Sequence, residues 1–160
     1  MLPKINTIIY ACDLENQTQA AMELVLNLAN LHKAKIILMH VMEPLNTQAS
    51  NMISSYISEE VIASMRKDAQ KDIHSRMEEM LNNYMQQHAE ELSTLEYPPE
   101  ILTTSGAPSD CIQQTAKAQN ADLIVMNSRT HSRLGQMILG STANKVIHSS
   151  TIPVLVVPIK

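Results

Sequence analysis

The sequence predicts an α/β protein: a single doubly wound domain in which a five-stranded parallel sheet carries helices on both faces. Short apolar segments alternate with longer segments whose apolar residues recur every three or four positions, as in amphipathic helices. The short segments are almost unbroken runs of Ile, Leu, Val and Met, which is typical of parallel strands buried on both faces. The length of 160 residues suits one core, so residues 1–160 are predicted to form one domain.

The first β-α-β unit lies at the N-terminus. Ile5–Cys12 is predicted to be a buried strand that ends at Asp13, where polar residues begin a turn. Helical spacing of apolar residues then predicts a helix from Ala20 to Leu31, and Lys35–Val41 is predicted to be the second strand. A strand, a helix and a strand joined so closely imply a right-handed parallel crossover.

The middle of the chain is less regular. Pro44–Ser58 is polar with scattered apolar residues, and it is predicted to be a loop that orders only against a ligand or partner. From Val61 to about His88 an apolar stripe rich in methionine predicts a long helix. We expect this stripe to pack into the core and the opposite charged face, which includes Arg76, to meet solvent.

The C-terminal half returns to the alternating pattern. Pro98-Pro99 stops any helix, and Glu100–Thr104 is predicted to be a short edge strand. The turn Gly106–Asp110 then starts a helix that runs from Cys111 to Gln119. The remaining predicted elements are a fourth strand, a fourth helix after a long polar loop, and a fifth strand: Asp122–Asn127, Ala143–His148 and Ile152–Pro158.

Composition excludes several classes of function. The net charge of −4 and the pI near 5.8 provide no basic surface for a nucleic-acid backbone, and a chain without Phe or Trp offers little for bases to stack on. No segment approaches the ~20 apolar residues of a membrane span, and the N-terminus has no signal-peptide pattern. We therefore expect a cytoplasmic protein without nucleic-acid or membrane partners.

Cysteine and histidine residues have no spacing typical of a metal or redox site. Cys12 and Cys111 are far apart, and we expect both to be reduced thiols. The six histidines form no i, i+4 pair and no HExxH motif, so no protein metal site is expected.

The stretch from Asp122 to Pro158 carries the strongest functional signal. A buried strand leads into a polar loop, and the loop ends at Gly140-Ser141-Thr142, where a helix begins. The N-terminus of a helix has backbone N–H groups without partners and about half a positive charge from its dipole. This end of the helix is therefore suited to hold a phosphate.

These residues resemble the nucleotide loop of the universal stress protein family. In that family an apolar strand ending in Met is followed by Gly, two residues, Gly, nine residues and Gly-Ser or Gly-Thr, and then by a short helix and a PVLVV strand. Here Met126 ends the strand, Asn127 and Thr130 stand at the first two glycine positions, and nine residues separate Thr130 from Gly140-Ser141. Pro153–Val157 supplies the final strand, and the resemblance extends over nearly the whole chain.

The resemblance implies a strand order of 3-2-1-4-5, so that ligands would bind between strands one and four. It also implies ATP, with or without Mg²⁺, as the ligand. Ala11 and Val41 would hold the adenine, and Asp13 would accept hydrogen bonds from the ribose hydroxyls. The residues implied on the phosphate side are Met126, Asn127, Ser128, Arg129, Thr130, Gly140, Ser141 and Thr142.

Single residues leave alternatives open. Asp13 also suits a simple turn, and Val41 also suits the core. Where the family has glycine, Asn tolerates a positive φ but β-branched Thr130 does so poorly. Gly135 and the two arginines of the loop are able to compensate, although such charges usually face water.

Three functional hypotheses follow. The first is a universal-stress-type regulatory or sensor protein that binds ATP and thereby changes the surface it offers to unknown protein partners. The second is a dimeric member of the same family that has lost its nucleotide and acts as an interaction module. The third, a nucleotide-cleaving enzyme, needs a general base that the sequence does not supply, so at most slow ATP hydrolysis is expected.

Strand five provides an expectation about assembly. It is the last strand and therefore an edge, yet Val154, Leu155, Val156 and Val157 form an apolar run without a charge that would discourage pairing. The resemblance implies a homodimer in which the same strand of a second copy pairs antiparallel about a two-fold axis. The alternative is that the chain's own helices bury this strand.

Overall fold

The structure, a computed structural model, describes residues 1–14, 18–128 and 139–159. Within these ranges strands and helices alternate as predicted, with one additional helix and a short 3-10 turn at Glu91–Thr94. The elements in chain order are β1 Thr7–Ala11, α1 Gln19–His32, β2 Lys35–Met42, α2 Thr47–Tyr56, α3 Glu59–Gln87, β3 Glu100–Ser105, α4 Pro108–Ala118, β4 Leu123–Asn127, α5 Ser141–Ser149 and β5 Val154–Val157.

Five strands in the described part of the chain form one sheet in the order β3-β2-β1-β4-β5, and every neighbouring pair is parallel. The predicted fold class and strand order are therefore confirmed, and β3 lies at an edge as expected. β1 is central, with Ala11 opposite Met39 of β2 and Met126 of β4. The order of the strands reverses here, so the carboxyl ends of β1 and β4 flank the switch point of the sheet.

Each face of the sheet has its own core. On one face, α1 and the C-terminal half of α3 pack over the sheet, and Tyr10 of β1 and Met77 of α3 are both fully buried in this core. On the other face, α4 and α5 contribute Ile112 and Val146, which pack with Ile124 of β4. Burial of apolar surface, at roughly 25 cal/mol per Å², is the main stabilising term. Because helices lie on both faces, the strand ends and the two edge strands remain as the accessible parts of the sheet.

The segment Pro44–Ser58 is not the predicted loop, because Thr47–Tyr56 forms α2. Asn46 caps this helix: its Oδ1 accepts a hydrogen bond from the amide of Ala49 at 2.7 Å. No residue of α2 is buried, which explains the absence of a clear apolar period in the sequence. A local capping interaction, which sequence periodicity does not reveal, defines where this helix begins.

The apolar stripe of α3 enters the core only in its C-terminal half. Met77 and Leu81 are buried, whereas Val61 and Met65 are 48% and 58% exposed, so the expected burial of the whole stripe is wrong. The 29 residues of α3 extend about 44 Å, whereas the eight residues of β2 extend about 26 Å, so the first turns of α3 project beyond the sheet. Among the described helices, none is both long and apolar enough to cross a membrane.

Candidate functional site

A cavity of about 500 Å³ opens at the carboxyl ends of β1, β2 and β4. It lies at the switch point of the sheet, which is where ligands bind in open parallel sheets. Its volume falls within the roughly 300–1,000 Å³ typical of small-molecule sites. Every predicted site residue in the described part of the chain, except Ser141, lines it: Ala11, Asp13, Val41, Met126, Asn127, Ser128, Gly140 and Thr142.

The floor of the cavity on the α4 and α5 side is apolar. Met39 and Val41 of β2, Met126 of β4 and Ile112 of α4 line it, and all four belong to the second core or pack against it. Val41 is thus at once a residue packed on the core and a wall of the cavity. A flat, uncharged ring is favoured on such a surface, because covering apolar area contributes roughly 25 cal/mol per Å².

Charged side chains line the rim. Asp13 follows β1 and Glu43 follows β2, and both side chains are acidic. Arg76 of α3 adds a positive charge. A carboxylate accepts hydrogen bonds from hydroxyl groups but repels phosphate, so the Asp13 end of the rim suits a sugar better than an anion. Arg76 is exposed, as expected for the charged face of α3, and it also lines the cavity.

Asn127, the last residue of β4, is held by Tyr10, which belongs to the core beneath α1 and α3. The Tyr10 hydroxyl donates a hydrogen bond to its Oδ1 at 2.5 Å. Burial raises the pKa of Tyr10 far above its usual range, so the hydroxyl keeps the proton that it donates. The backbone of Asn127 pairs with Val157 and is not among the described residues with positive φ. An Asn is therefore accommodated at this position without backbone strain.

Ser128 joins the ends of β4 and β5. It is 1% exposed, its amide donates to the carbonyl of Val157 at 3.0 Å, and its Oγ accepts from the amide of Ile159 at 3.2 Å. These bonds give the residue a structural role at the cavity wall. Its own hydroxyl proton is still able to serve one further acceptor.

The N-terminus of α5 forms the wall facing the end of β4. Gly140 is the N-cap with φ 89° and ψ 151°, a conformation that is essentially confined to glycine and costs other residues about 1–3 kcal/mol, so glycine is favoured here. The helix begins at Ser141, two residues earlier than predicted. No described side chain caps this end, and Ser141, expected on the phosphate side, is exposed and does not line the cavity.

The same end of α5 makes this wall electropositive. Gly140, Thr142 and Ala143 line the cavity, which brings the first-turn amides and the positive end of the helix dipole to its edge. Arg129 and Thr130, together with Gly135, lie outside the described residues. Their part in holding a phosphate stays a prediction.

Cys12 and His40 line the end of the cavity between β1 and β2. Burial raises the pKa of the Cys12 thiol to about 12, so this side chain stays protonated at neutral pH. His40 Nδ1 lies 2.8 Å from the backbone carbonyl of Cys12. Sequence reasoning missed His40, and its position directly before Val41 was the available signal. Within the described ranges, no group of three or more His, Cys, Asp and Glu side chains is placed to hold a metal ion.

Comparison with known proteins bears on this arrangement. The chain matches the universal stress protein family over residues 4–158. It is 30% identical to universal stress protein YxiE of Bacillus subtilis over 153 residues, which cover 95% of this chain and 98% of that relative. It is 24% identical to universal stress protein MJ0577 of Methanocaldococcus jannaschii over 150 residues, covering 94% and 93% of the two chains.

Solved structures extend the likeness to three dimensions. The structure of MJ0577 aligns with a TM-score of 0.60 at 25% identity and covers 99% of both chains. A universal stress protein solved in complex with cAMP aligns with a TM-score of 0.58 at 20% identity and covers 98% of both chains, which shows the shared fold. The family match spans nearly the whole sequence, from before β1 to beyond β5. This chain therefore belongs to the universal stress protein family, whose members are stress-response proteins.

Proposed function

We propose that this protein binds ATP in the switch-point cavity and serves as a regulatory sensor in the stress response. The observation that carries the proposal is the meeting of three environments at one cavity: the apolar floor at Val41, the carboxylate of Asp13 and the N-terminus of α5 at Gly140. A nucleotide needs an apolar surface for its base, an acceptor for its ribose hydroxyls and N–H donors for its phosphates.

The parts of the nucleotide are assigned by their chemistry. The adenine lies on the floor beside Ala11 and Val41, and the ribose hydroxyls donate to Asp13. The phosphates lie toward α5, away from the carboxylate that would repel them. Mg²⁺, where present, arrives with the triphosphate, because it binds through few carboxylates and keeps phosphate and water ligands. The relative solved with cAMP supports an adenine nucleotide as the ligand class.

Calorimetric titration with ATP and Mg²⁺ tests the proposal, with thermal unfolding as a second readout. A ligand present at ~100 times its dissociation constant stabilises the folded protein by about 2.7 kcal/mol, so the melting temperature should rise by several degrees. Asp13→Ala should weaken binding, whereas Asp68→Ala, an exposed acid of α3 outside the cavity, should not. The absence of both binding heat and a melting shift at millimolar ATP would refute the proposal.

The second candidate function is that of an interaction module without a nucleotide. It is favoured by Asn127, whose side chain is tied to Tyr10 and stands where the family has a glycine. If this side chain hinders the phosphates, Asn127→Gly should bind ATP more tightly than the unaltered protein. If neither the unaltered protein nor Asn127→Gly binds ATP, the interaction module is favoured.

We also propose that the protein is a homodimer joined through β5. In the described part of the chain β5 pairs with β4 alone, and Val154 and Leu155 pack against the two cores while Val156 remains half-buried. An apolar edge strand without charges is suited to pair with a second copy. Unknown protein partners of other kinds would bind exposed surfaces of the same protein.

Sedimentation at micromolar concentration tests the dimer. Val156→Lys should give a folded monomer, and Leu31→Lys, a charge placed on a residue that is 70% exposed on α1, should leave the dimer intact. A monomeric unaltered protein would exclude this assembly. A Val156→Lys chain that unfolds would indicate that the residue serves only its own core.

A further inference from the structure

The ladder between β1 and β2 ends in an unusual way at the cavity. Cys12, the first residue after β1, donates its amide to the carbonyl of Met39 at 2.8 Å, as a parallel ladder requires. The next bond of that ladder would run from the amide of Val41 to the Cys12 carbonyl. Within the described residues that carbonyl accepts instead from the His40 ring, whose Nδ1 lies at 2.8 Å, and from no backbone amide.

The chemistry of this contact sets the state of the ring. A carbonyl oxygen only accepts hydrogen bonds, so Nδ1 must carry the proton. In the neutral ring this leaves Nε2 unprotonated. The side chain of His40 thus replaces a backbone donor of its own strand, and the two strands are free to separate at the point where the cavity begins.

The bond acts on Asp13 through the planarity of the peptide group. The carbonyl of Cys12 and the nitrogen and Cα of Asp13 lie in one plane, because the bond between carbonyl carbon and nitrogen does not rotate freely. A hydrogen bond that holds the Cys12 oxygen therefore also holds the nitrogen and Cα of Asp13, from which the Asp13 side chain extends.

We propose that His40 is a positioning residue for nucleotide binding: its Nδ1–H holds the Cys12–Asp13 peptide so that the Asp13 carboxylate meets the ribose hydroxyls. This inference rests on the proposed ATP site and adds to it a residue that lines the same cavity and acts through Asp13. It predicts that His40 increases the affinity for ATP only through the contact between Asp13 and the ribose hydroxyls.

Substitutions at His40 separate the donor from the bulk of the side chain. His40→Asn keeps an N–H donor close to the position of Nδ1, whereas His40→Gln keeps a similar size but moves the donor outward, and His40→Ala removes both. We expect Ala and Gln to weaken ATP binding about tenfold and Asn to stay within a few-fold of the unaltered protein. His74→Ala, at a partly exposed position of α3 that does not line the cavity, is the matched control and should leave the affinity unchanged.

Two further measurements distinguish positioning from general damage to the site. In the Asp13→Ala background, His40→Gln should cause no additional loss, since the residue it positions is gone. With 2′,3′-dideoxy-ATP, which lacks both ribose hydroxyls, the unaltered protein and His40→Gln should bind equally. Additive losses, or an equal loss with the dideoxy nucleotide, would overturn the inference.

Nuclear magnetic resonance decides the matter independently of ATP. If the unaltered protein binds no ATP, the proposed function fails, and the ring and backbone signals still report on His40. We expect the neutral ring to carry its proton on Nδ1, and the amide signal of Asp13 to shift in His40→Gln and return in His40→Asn. A proton on Nε2, or an Asp13 amide that ignores these substitutions, would refute the positioning role.

Discussion

Replacing Tyr10 with Phe removes one hydroxyl and little volume, so it isolates the hydrogen bond that holds Asn127 at the cavity. Tyr10 is fully buried and its hydroxyl donates to Asn127 Oδ1 at 2.5 Å. Stranding a buried acceptor costs about 1–3 kcal/mol. Asn127 is half-buried, so water is able to reach part of it, and we expect the lower half of this range, about 1–2 kcal/mol.

Urea-induced unfolding followed by circular dichroism measures the effect, since the chain has no Trp to report by fluorescence. A matched control is Tyr97→Phe, which deletes the same group from a side chain that is 45% exposed, and it should be nearly neutral. Asn127→Ala should also destabilise, because it leaves the buried Tyr10 hydroxyl without its acceptor. The two changes should be less than additive, with a coupling energy of about 1 kcal/mol. A Tyr10→Phe protein as stable as the unaltered chain, or a coupling energy near zero, would refute this reasoning.

Other predictions concern α3, His88 and the thiols. Met77→Ala should lower the free energy of unfolding by about 2–5 kcal/mol, because Met77 is buried. Met65→Ala should change it by less than about 0.5 kcal/mol, because Met65 is exposed. Similar losses for both variants would contradict the unequal packing of α3. His88 Nδ1 lies 3.1 Å from a carboxylate of the 3-10 turn and Nε2 lies 3.5 Å from a carboxylate of α1, and the hydrogen bond to the former raises its pKa. The resulting stabilisation is complete below the unfolded pKa of about 6.5 and is lost as the pH rises through the higher folded value, so the difference in unfolding free energy between the unaltered protein and His88→Gln should shrink with rising pH. A difference that is constant from pH 5 to pH 9 would exclude it. Ellman's reagent should modify Cys111 in the folded protein but reach Cys12 only on unfolding, since Cys12 is 4% exposed with a pKa of about 12; rapid reaction that persists in Cys111→Ser would disagree.

The parallel sheet was predictable from local features of the sequence. Unbroken apolar runs predict buried parallel strands, and β2 and β3 begin at Lys35 and Glu100 where the runs predict them. The glycine at position 140, at the start of α5, is also a local feature, because the freedom to adopt φ 89° is a property of glycine itself. The strand order came from the resemblance to a known family, because periodicity does not state which strands are neighbours.

The lining of the cavity depended on contacts between residues that are distant along the chain. Tyr10 meets Asn127 across 117 positions, and His40 meets Cys12 across 28. No pattern along the sequence reports such pairs, so Asn127 was recognised only as a departure from a motif. Arg76 and Met65 lie on one helix, yet only Arg76 lines the cavity, because the contact depends on where that helix crosses the sheet.

The position of each helix on the sheet, and the set of side chains that meet at the strand ends, therefore emerge only in the folded protein. The physical reason is that the apolar pattern of a segment states whether a face is suited to burial, but not whether another element is present to bury it. α2 and the first turns of α3 illustrate this, since Met52 and Val61 are as apolar as the core residues but are 64% and 48% exposed. Burial requires a partner surface, and the partner is supplied by the rest of the fold.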